Sequence, residues 1–500
     1  MKPQLKTESI ILFVSLALSS LSPALAVPEQ PLKLDDYLAQ VRSEHLGMKG
    51  SMQASQGEEL RSQEAQLITS PTLYATFESK SDSKITPFSF ISYDQLQTNV
   101  ASLGVMENTS FGLNAKLHYD LFTTQYINPN VGNNANLAAF ASFFSTKYIL
   151  FSPVLELSQS LWSNGFGRST RASQDAIEAN ALALSFTHQF QNQTILTQAE
   201  ATYWRLAIAR QIITVENQAI DRAQKIYEWN KNRTQLHLGD EADLIQAKAL
   251  LQSRALDLLA SQNEERAAAR AFNQARNRDT EGVPETLTSV ELGTVDQIPI
   301  PQRAPMRTDV KAARESARAA EANSIMQIEK NRPTFDLYGS LSLNGQPPNL
   351  NADPYNGAVS YGQSFGLSFQ TNRPSYTLGF KFAMPLALEA KSNTQEGWRQ
   401  EKIASETLYE RKLYEQEQNW KDLNQSLTET KQHLALSQEL EITQKNKLDL
   451  EKERLRRGRT TTYQVLLFEQ DYLFAQLGRI KDQLATLTLI TQLKLFGAPL

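Results

Sequence analysis

Two very long segments without glycine or proline constrain this 500-residue chain more than any other feature. The first runs from about residue 168 to 233 and the second from about residue 399 to 457. A helix of either length would extend for about 100 Å at a rise of 1.5 Å per residue. Helices in ordinary globular domains are much shorter. The first segment also carries an apolar stripe that predicts packing against other helices. The stripe consists of Leu182, Phe186, Phe190, Leu196, Tyr203 and Leu206.

A glycine ends each long segment, and a shorter helix-forming segment follows it. Gly239 precedes a predicted helix at about 241–277, and Gly458 precedes one at about 461–495. Glycine is common where a helix ends because it adopts left-handed backbone conformations without steric cost. The two glycines therefore indicate two helical hairpins, each with a turn at its tip.

The order of predicted elements occurs twice, which indicates an internal duplication. Each copy of this order begins with a helix, at about residue 34 in the first case and at about residue 307 in the second. The helix is followed by a proline, strands, a long helix, a glycine and a shorter helix. We assign residues 27–290 to the first repeat, 291–306 to a linker and 307–500 to the second repeat.

Short segments with alternating polar and apolar residues lie between the helices, and this alternation predicts β-strands. The clearest example is 111–121. Other strands are predicted at 72–77, 148–162, 334–344 and 375–386, with a further candidate at 364–371. Residues 128–146 are predicted to form a long loop. Four of these strands are well supported, and counting the weaker candidates gives up to six per chain.

The first 26 residues are typical of an export signal. Lys2 and Lys6 precede an apolar run at 10–18, and Ala24-Leu25-Ala26 forms a small-x-small cleavage site. The alternative is a membrane anchor, but the apolar run is too short to span about 30 Å of hydrocarbon. We therefore expect cleavage after Ala26 and an exported mature chain.

The strands and the long helices together predict a membrane protein with a shared barrel. Bacterial outer-membrane barrels have at least eight strands, and an unpaired strand edge is not viable in lipid. Four strands cannot close such a barrel, so several copies must contribute. Three copies of four strands would give a trimeric, 12-stranded β-barrel. The predicted fold is an α+β membrane protein in which such a barrel continues into a long α-helical barrel.

The composition excludes several other classes of protein. The chain has no cysteine, and no two of its five histidines have the spacing of metal ligands, so we expect no metal site. The net charge is −4 and no basic patch is present, which argues against nucleic acid as a partner. No cofactor is predicted.

Three segments resemble the motifs of a known family. Residues 157–165 resemble a strand end in which Leu-x-Gln-x-Leu leads into a glycine and a long helix. Residues 236–247 and 455–466 resemble two helix–turn–helix tips. With these motifs in this order across two repeats, the chain resembles the TolC-type outer-membrane efflux proteins, which are trimeric channel-tunnels.

The resemblance implies an exit duct of the bacterial outer membrane, with helices that project into the periplasm. Such a duct belongs to a tripartite efflux or type I secretion system and passively conducts small molecules or proteins. The implied partners are two further copies of the chain, outer-membrane lipid, a periplasmic adaptor (membrane fusion) protein and an inner-membrane transporter. No residue would perform catalysis.

The same resemblance implies that the two tips form the periplasmic entrance and its gate. The candidate residues are Gly239, Asp240, Asp243, Gly458, Arg459, Gln464 and Leu467. Asp243 either caps its helix or pairs with a basic residue of a neighbouring tip, such as Arg459. Gln464 and Leu467 stand where a well-known member has aspartates, so weak cation binding is expected. If an acidic ring exists, Asp240 or Glu469 would form it.

Two departures from the family pattern are visible in the sequence. The first tip is about two residues shorter than usual between Gly239 and Asp243. The region 80–150 is longer than in the simplest members, which suggests an extra hairpin above the barrel.

Two other functions compete with the duct. A periplasmic adaptor or coiled-coil scaffold without a barrel would also have long helical hairpins, but the alternation at 111–121 favours the channel. Residues 362–366 match the Gly-x-Ser-x-Gly motif of hydrolases, with Ser364 as nucleophile, although that motif requires a strand before it and a helix after it.

The segment 165–168 suggests a phosphate-binding loop but lacks a third glycine. We interpret it as a bend between strand and helix.

Overall fold

The computed structural model describes residues 31–84, 93–128, 147–288, 295, 298, 302–345, 360–371 and 373–497. The predicted signal peptide at 1–26 lies outside these residues. So do most of the predicted linker and most of the predicted loop at 128–146.

Helices make up most of the described chain, and two of them are very long. In chain order the helices are α1 Leu34–Glu44, α2 Leu46–Arg61, α3 Glu64–Leu67, α4 Arg168–Gln235, α5 Glu241–Ala275, α6 Thr308–Lys330, α7 Tyr361–Leu367, α8 Leu388–Arg456 and α9 Thr462–Leu493. The 68 residues of α4 and the 69 of α8 confirm the two long helices predicted from the sequence. Within the described residues, no helix combines the length and apolar character needed to cross a bilayer.

The helices pack side by side in one layer with α4 at its centre. The N-terminal half of α4 lies between α2 and α6, and α6 in turn contacts α8. The C-terminal half of α4 lies between α5 and α9, and α9 also contacts α8. In both halves the layer therefore has α2 or α5 at one edge and α8 at the other.

A buried aromatic cluster joins the two halves near the middle of α4. The ring of Tyr37 stacks on Phe272 at a centroid distance of 4.1 Å and lies 5.6 Å from the ring of Tyr203. The Tyr37 hydroxyl donates a hydrogen bond to the Phe272 carbonyl at 3.2 Å and lies 3.0 Å from the Thr202 hydroxyl. The Arg276 guanidinium lies 4.6 Å from the Phe272 ring. Burial raises the pKa of Tyr37 to about 12.

The six described strands form a single antiparallel sheet in simple chain order. They are β1 Thr72–Asp82, β2 Gln95–Asn108, β3 Leu113–Ile127, β4 Tyr148–Ser160, β5 Thr334–Leu343 and β6 Pro374–Ala383. Each strand has 10 to 15 residues, which matches the length needed to cross a bilayer. Four of these strands lie within the predicted first repeat at 27–290, and two lie within the predicted second repeat at 307–500.

Six described strands are more than the four well-supported ones predicted, and one of them, β2, was not among the predicted segments. The strand β2 was missed because its apolar residues change face. Leu96 and Val100 lie on one face, whereas Leu103 and Val105 lie on the other, so the period-two pattern is interrupted. The extra hairpin suggested for 80–150 exists as β2 and β3, but it lies within the sheet and not above it.

The candidate strand at 364–371 was wrong, because helix α7 occupies most of this segment. A capping box begins the helix: the Ser360 hydroxyl accepts from the Gln363 backbone amide, and the Gln363 side chain accepts from the Ser360 amide. These local hydrogen bonds stabilise a helix in a segment whose composition resembled a strand.

The turn between β2 and β3 packs directly against the start of α4. Gly112 and Gly167 both adopt left-handed backbone conformations, with φ of 84° and 77°. A Cβ atom on Gly167 would lie only 2.0 Å from the Ser110 carbonyl oxygen. The Arg171 guanidinium donates to the carbonyls of Ser110 and Phe166 at 3.0 and 2.8 Å. The segment 165–168 is thus a bend between strand and helix, as predicted, and the turn of the β2–β3 hairpin packs against it, which was not predicted.

We expect Gly167→Ala to destabilise the protein, because the added methyl group meets backbone atoms at a strained φ. The left-handed conformation alone costs about 1–3 kcal/mol for a residue with a side chain. The matched control is Gly165→Ala, whose added Cβ has no neighbour within 4 Å. The measurement is the thermal unfolding midpoint of each purified variant. Equal midpoints for the two variants would contradict the close packing at Gly167.

We also expect an alkaline loss of stability that depends on Tyr37. Its pKa is near 10 in the unfolded chain and about 12 in the folded protein, so both states are protonated below pH 10. As the pH rises from 10 to 12, only the unfolded state loses its proton, which lowers the free energy of unfolding by about 2–3 kcal/mol.

Tyr37→Phe should remove this part of the pH dependence. Burial also raises the pKa of Tyr203, but that residue is present in both proteins and cancels in the difference. The measurement is urea unfolding of the wild type and the variant between pH 9 and 12. Parallel pH profiles would show that the Tyr37 hydroxyl is not protected from ionisation.

Candidate functional site

One face of the sheet is apolar across all six strands. A single row of cross-strand neighbours illustrates it: Leu73, Val105, Leu117, Leu155, Leu341 and Tyr376. The side chains of this row are 37% to 81% exposed in the single chain. A water-soluble sheet would cover such a row with another layer, because exposed apolar patches of this size are rare. We call this side the apolar face.

The opposite face of the sheet is polar, and we call it the polar face. The neighbouring row on this side contains Thr72, Met106, Lys116, Glu156, Ser340 and Thr377. Charged groups of β3 and β4 interact there. The Lys116 ammonium lies 3.5 Å from the Glu156 carboxylate, and His118 Nδ1 lies 2.7 Å from Asp120 Oδ1. A sheet with these two faces fits a wall with lipid on one side and water on the other.

The alternation at 111–121 predicted the apolar and polar faces of β3, but it did not predict the charged cluster. Lys116, His118 and Asp120 are the polar members of that alternating run. Their partner Glu156 lies on β4, 40 residues away from Lys116 along the chain. Only the strand register brings the four groups together.

The sheet has two edges, β1 and β6, whose outer sides have no partner strand among the described residues. Apolar side chains on both edges are largely exposed, at 74% for Phe77 and 78% for Leu378. An unpaired edge presents a row of free backbone amides and carbonyls. The edges are therefore surfaces that require pairing in a membrane.

The first tip joins α4 to α5. The turn depends on His237, which has a left-handed φ of 53°, and on Arg233, whose guanidinium donates to the Leu238 carbonyl at 2.8 Å. Asp240 caps α5, because its carboxylate accepts from the Ala242 amide at 3.0 Å. The cap predicted for Asp243 therefore belongs to Asp240. Asp243 lies in the first turn of α5, where its negative charge interacts favourably with the helix dipole.

Gly239 at the first tip contributes close packing and not an unusual backbone angle. A Cβ atom at this position would lie 3.1 Å from the Arg233 Cβ atom. Its neighbour Arg233 is also stacked over Trp229, with the guanidinium 4.6 Å from the ring centre. The first tip is thus a compact, well-bonded turn.

The second tip joins α8 to α9 through Gly458. This residue has a left-handed φ of 69°, as expected for a glycine that ends a helix. The amide of Arg459 donates to the Arg454 carbonyl at 2.9 Å, which closes the turn. The hydroxyl of Thr461 then caps α9 by accepting from the Gln464 amide at 3.4 Å.

The two tips are held together by buried polar contacts that the sequence did not predict. The Thr462 hydroxyl donates to the Asn230 side chain at 2.9 Å, and both residues are buried. Glu469 is fully buried and pairs with Arg222 and, at 3.6 Å, with Lys452. Because its charge is neutralised inside the chain, Glu469 does not fit the role of a pore-lining acid.

The predicted gate residues are exposed or half-buried at the tips. Asp243 and Gln464 are half-buried, and Arg459 and Leu467 are exposed. Asp243 and Arg459 form no ion pair with each other among the described contacts of the chain. Asp243 lies on α5, at one edge of the helical layer, and Arg459 lies in the turn that follows α8.

Ser364 has a structural role in this fold. Its hydroxyl donates to the Gly345 carbonyl and accepts from the Phe151 amide, both at 2.9 Å, and the side chain is fully buried. The motif Gly-x-Ser-x-Gly lies inside helix α7 and not at a turn between strand and helix, so the arrangement is not that of a nucleophile elbow. Within the described residues, no three acidic or histidine side chains are placed to hold a metal ion.

Comparison with known proteins relates this fold to bacterial channels. No family model matches the chain, and no curated protein does so. The outer-membrane channel OprN matches with a TM-score of 0.63 and 13% identity, over 93% of this chain and 90% of that chain. CusC, whose structures address transmembrane channel formation, matches with a TM-score of 0.62 and 12% identity, over 97% of this chain and 100% of that chain.

The MtrE outer-membrane channel of Neisseria gonorrhoeae also matches. Its TM-score is 0.61 and its identity 14%, over 93% of this chain and 89% of that chain. At such low identity the likeness establishes the fold, and it extends over nearly the whole length of all three proteins. The chain therefore has the fold of the TolC-type outer-membrane channels, which confirms the resemblance predicted from its sequence.

Proposed function

We propose that this protein is an exit duct of the bacterial outer membrane, with its long helices in the periplasm. The observation that carries the proposal is the row of exposed apolar residues that crosses all six strands, opposite a polar face. Lipid would contact the apolar face and water would fill the lumen along the polar face. The long helices α4 and α8 continue from the same end of the sheet as a periplasmic tube.

The working form in this proposal is a homotrimer. The sheet ends in unpaired β1 and β6, and the helical layer has α2 or α5 at one edge and α8 at the other. Both edges carry exposed apolar side chains along the helices, such as Leu256 on α5 and Ile442 on α8. Joining the β6–α8 edge of one copy to the β1–α5 edge of the next would bury these side chains and pair the strands.

The duct would work with a periplasmic adaptor protein and an inner-membrane transporter. The adaptor would connect the duct to the transporter, and the transporter would supply the energy for transport. Tripartite efflux and type I secretion both fit a passive conduit of this shape. An adaptor or coiled-coil scaffold would have the helices as well, but a two-faced sheet with an apolar row has no use in a water-soluble scaffold. Cofactors and nucleic acid have no part in the proposal.

A charge on the apolar face should prevent membrane assembly, whereas the same charge on the polar face should not. Leu103→Arg places a guanidinium toward lipid, which costs about 2–4 kcal/mol at the bilayer midplane. Ser102→Arg is the matched control, because the adjacent residue of β2 lies on the polar face. The measurement is the amount of trimer in outer-membrane fractions.

We expect a strong reduction for Leu103→Arg and near-normal amounts for Ser102→Arg. Equal amounts of both variants in the soluble periplasm would favour the scaffold. Equal amounts in the outer membrane would show that Leu103 does not face lipid.

The two tips act as a gate at the periplasmic entrance in this proposal. In the proposed trimer, Asp243 of one copy and Arg459 of the next contact each other across the periplasmic entrance. An exposed ion pair contributes about 0.2–1 kcal/mol, so three pairs contribute about 0.6–3 kcal/mol to the closed state. Asp243→Ala combined with Arg459→Ala should therefore raise the mean single-channel conductance in planar bilayers.

The matched control is Arg205→Ala combined with Glu264→Ala, which removes an exposed pair between α4 and α5 of one chain. This control should leave the conductance unchanged. Because Gln464 and Leu467 replace acidic residues, block by multivalent cations from the periplasmic side should be weak. Unchanged conductance in the tip variant would place the constriction elsewhere, and tight cation block would indicate a different acidic ring.

A further inference from the structure

The β2–β3 hairpin changes the number of strands that each chain brings to a shared barrel. We propose that the barrel of this protein has eighteen strands, six from each of three copies, and not the twelve predicted from its sequence. The inference rests on the proposed trimer. It concerns the width of the duct within the membrane, which the trimer alone does not determine.

The hairpin is an integral part of the sheet because both of its strands are paired on both sides. The strand β2 pairs with β1 from Met106–Thr72 to Leu96–Asp82, along the whole length of β1. The strand β3 pairs with β4 from Leu113–Gln159 to Thr124–Tyr148. A twelve-stranded barrel would require β1 to leave β2 and to pair with β4 over its entire length.

Apolar side chains of the hairpin lie on the apolar face of the sheet, and its charged side chains lie on the polar face. On the apolar face, Leu103 of β2 and Leu117 of β3 are 57% and 61% exposed in the single chain. On the polar face, Lys116 and His118 meet Glu156 of β4. If the hairpin folded away into water, its apolar residues would lose the lipid contact that their exposure requires.

The turn of the hairpin is held at the periplasmic end of the sheet. Gly112 and Gly167 allow the backbones of the turn and of the α4 start to touch, and Arg171 binds the Ser110 carbonyl. The two strands of the hairpin, with 14 and 15 residues, are long enough to cross the bilayer from this point. The hairpin is thus fixed at one end and has the length of a membrane-spanning pair.

The two edges of the six-stranded sheet can pair between copies without interrupting the antiparallel order of the strands. Six antiparallel strands leave β1 and β6 running in opposite directions, so β6 of one copy continues the antiparallel pattern with β1 of the next. The two edge strands have 11 and 10 residues. Three copies then close a barrel with no free edge, as lipid requires.

The larger strand number widens the lumen. Barrel diameter increases roughly linearly with the number of strands, so eighteen strands give about 1.5 times the diameter of twelve. The cross-section is then about twice as large. The membrane part of the duct would admit cargo that a twelve-stranded barrel excludes, and selection by size would rest on the helical tips.

Disulfide mapping tests which strands are neighbours, because the native chain has no cysteine. Three sets of double variants start from Ala75→Cys on β1. The first adds Leu103→Cys on β2, the direct neighbour of Ala75. The second adds a cysteine in place of Phe151, Pro153 or Leu155 on the same face of β4. The third adds one in place of Tyr376, Leu378 or Phe380 on β6.

We expect the first set to form a disulfide within one chain and the second set to form none. At least one variant of the third set should link two chains. Electron microscopy of the wild-type trimer in lipid nanodiscs should then show eighteen strands around the lumen.

A disulfide between β1 and β4, or a trimer with twelve strands, would overturn the eighteen-stranded barrel while leaving the exit duct intact. A monomer, or recovery of the protein in the soluble periplasm, would overturn the proposed trimer and the barrel together. The two failures are therefore distinguishable by the oligomeric state.

Discussion

The need to pair every backbone amide and carbonyl of the sheet is the constraint on which this structure depends. Among the described strands, β2 to β5 are paired on both sides, and only the outer sides of β1 and β6 are open. Water could satisfy these edges, but the apolar face beside them, with Leu73 and Tyr376 largely exposed, is unsuited to water. Lipid would cover the apolar face, but it cannot form hydrogen bonds with the backbone groups of the open edges. The proposed assembly of several copies would satisfy both requirements.

The joint between sheet and helices sets the direction in which the long helix α4 leaves the sheet. At Gly167 the chain bends from β4 into α4 with a left-handed φ of 77°, and the turn of β2–β3 packs on the bend. The Asn164 side chain accepts from the Thr170 amide at 3.0 Å and stabilises the first turn of α4. The direction of a helix about 100 Å long is thus set by a few residues at its start.

Polar groups buried along the helices fix the relative positions of α4 and α9. Glu200 of α4 pairs with Lys494 after α9, and Glu469 of α9 pairs with Arg222 of α4. Removing one partner of a buried pair typically costs about 3–5 kcal/mol, because the other charge is left uncompensated. Such pairs favour one register between the long helices. An apolar stripe alone would allow the helices to slide along one another.

The sequence by itself determined the long helices, the turns at the tips and the two-faced character of β3, because these features depend on residue spacing and on the backbone preferences of glycine. It did not determine β2, α7 or the cap at Asp240. In β2 the apolar residues change face, and in α7 a capping box at Ser360 outweighs a strand-like composition. The charged cluster of Lys116 and Glu156 and the contact of Asn230 with Thr462 join residues far apart in the chain. Only the strand register and helix packing of the tertiary structure could decide them, because local pattern carries no information about distant partners.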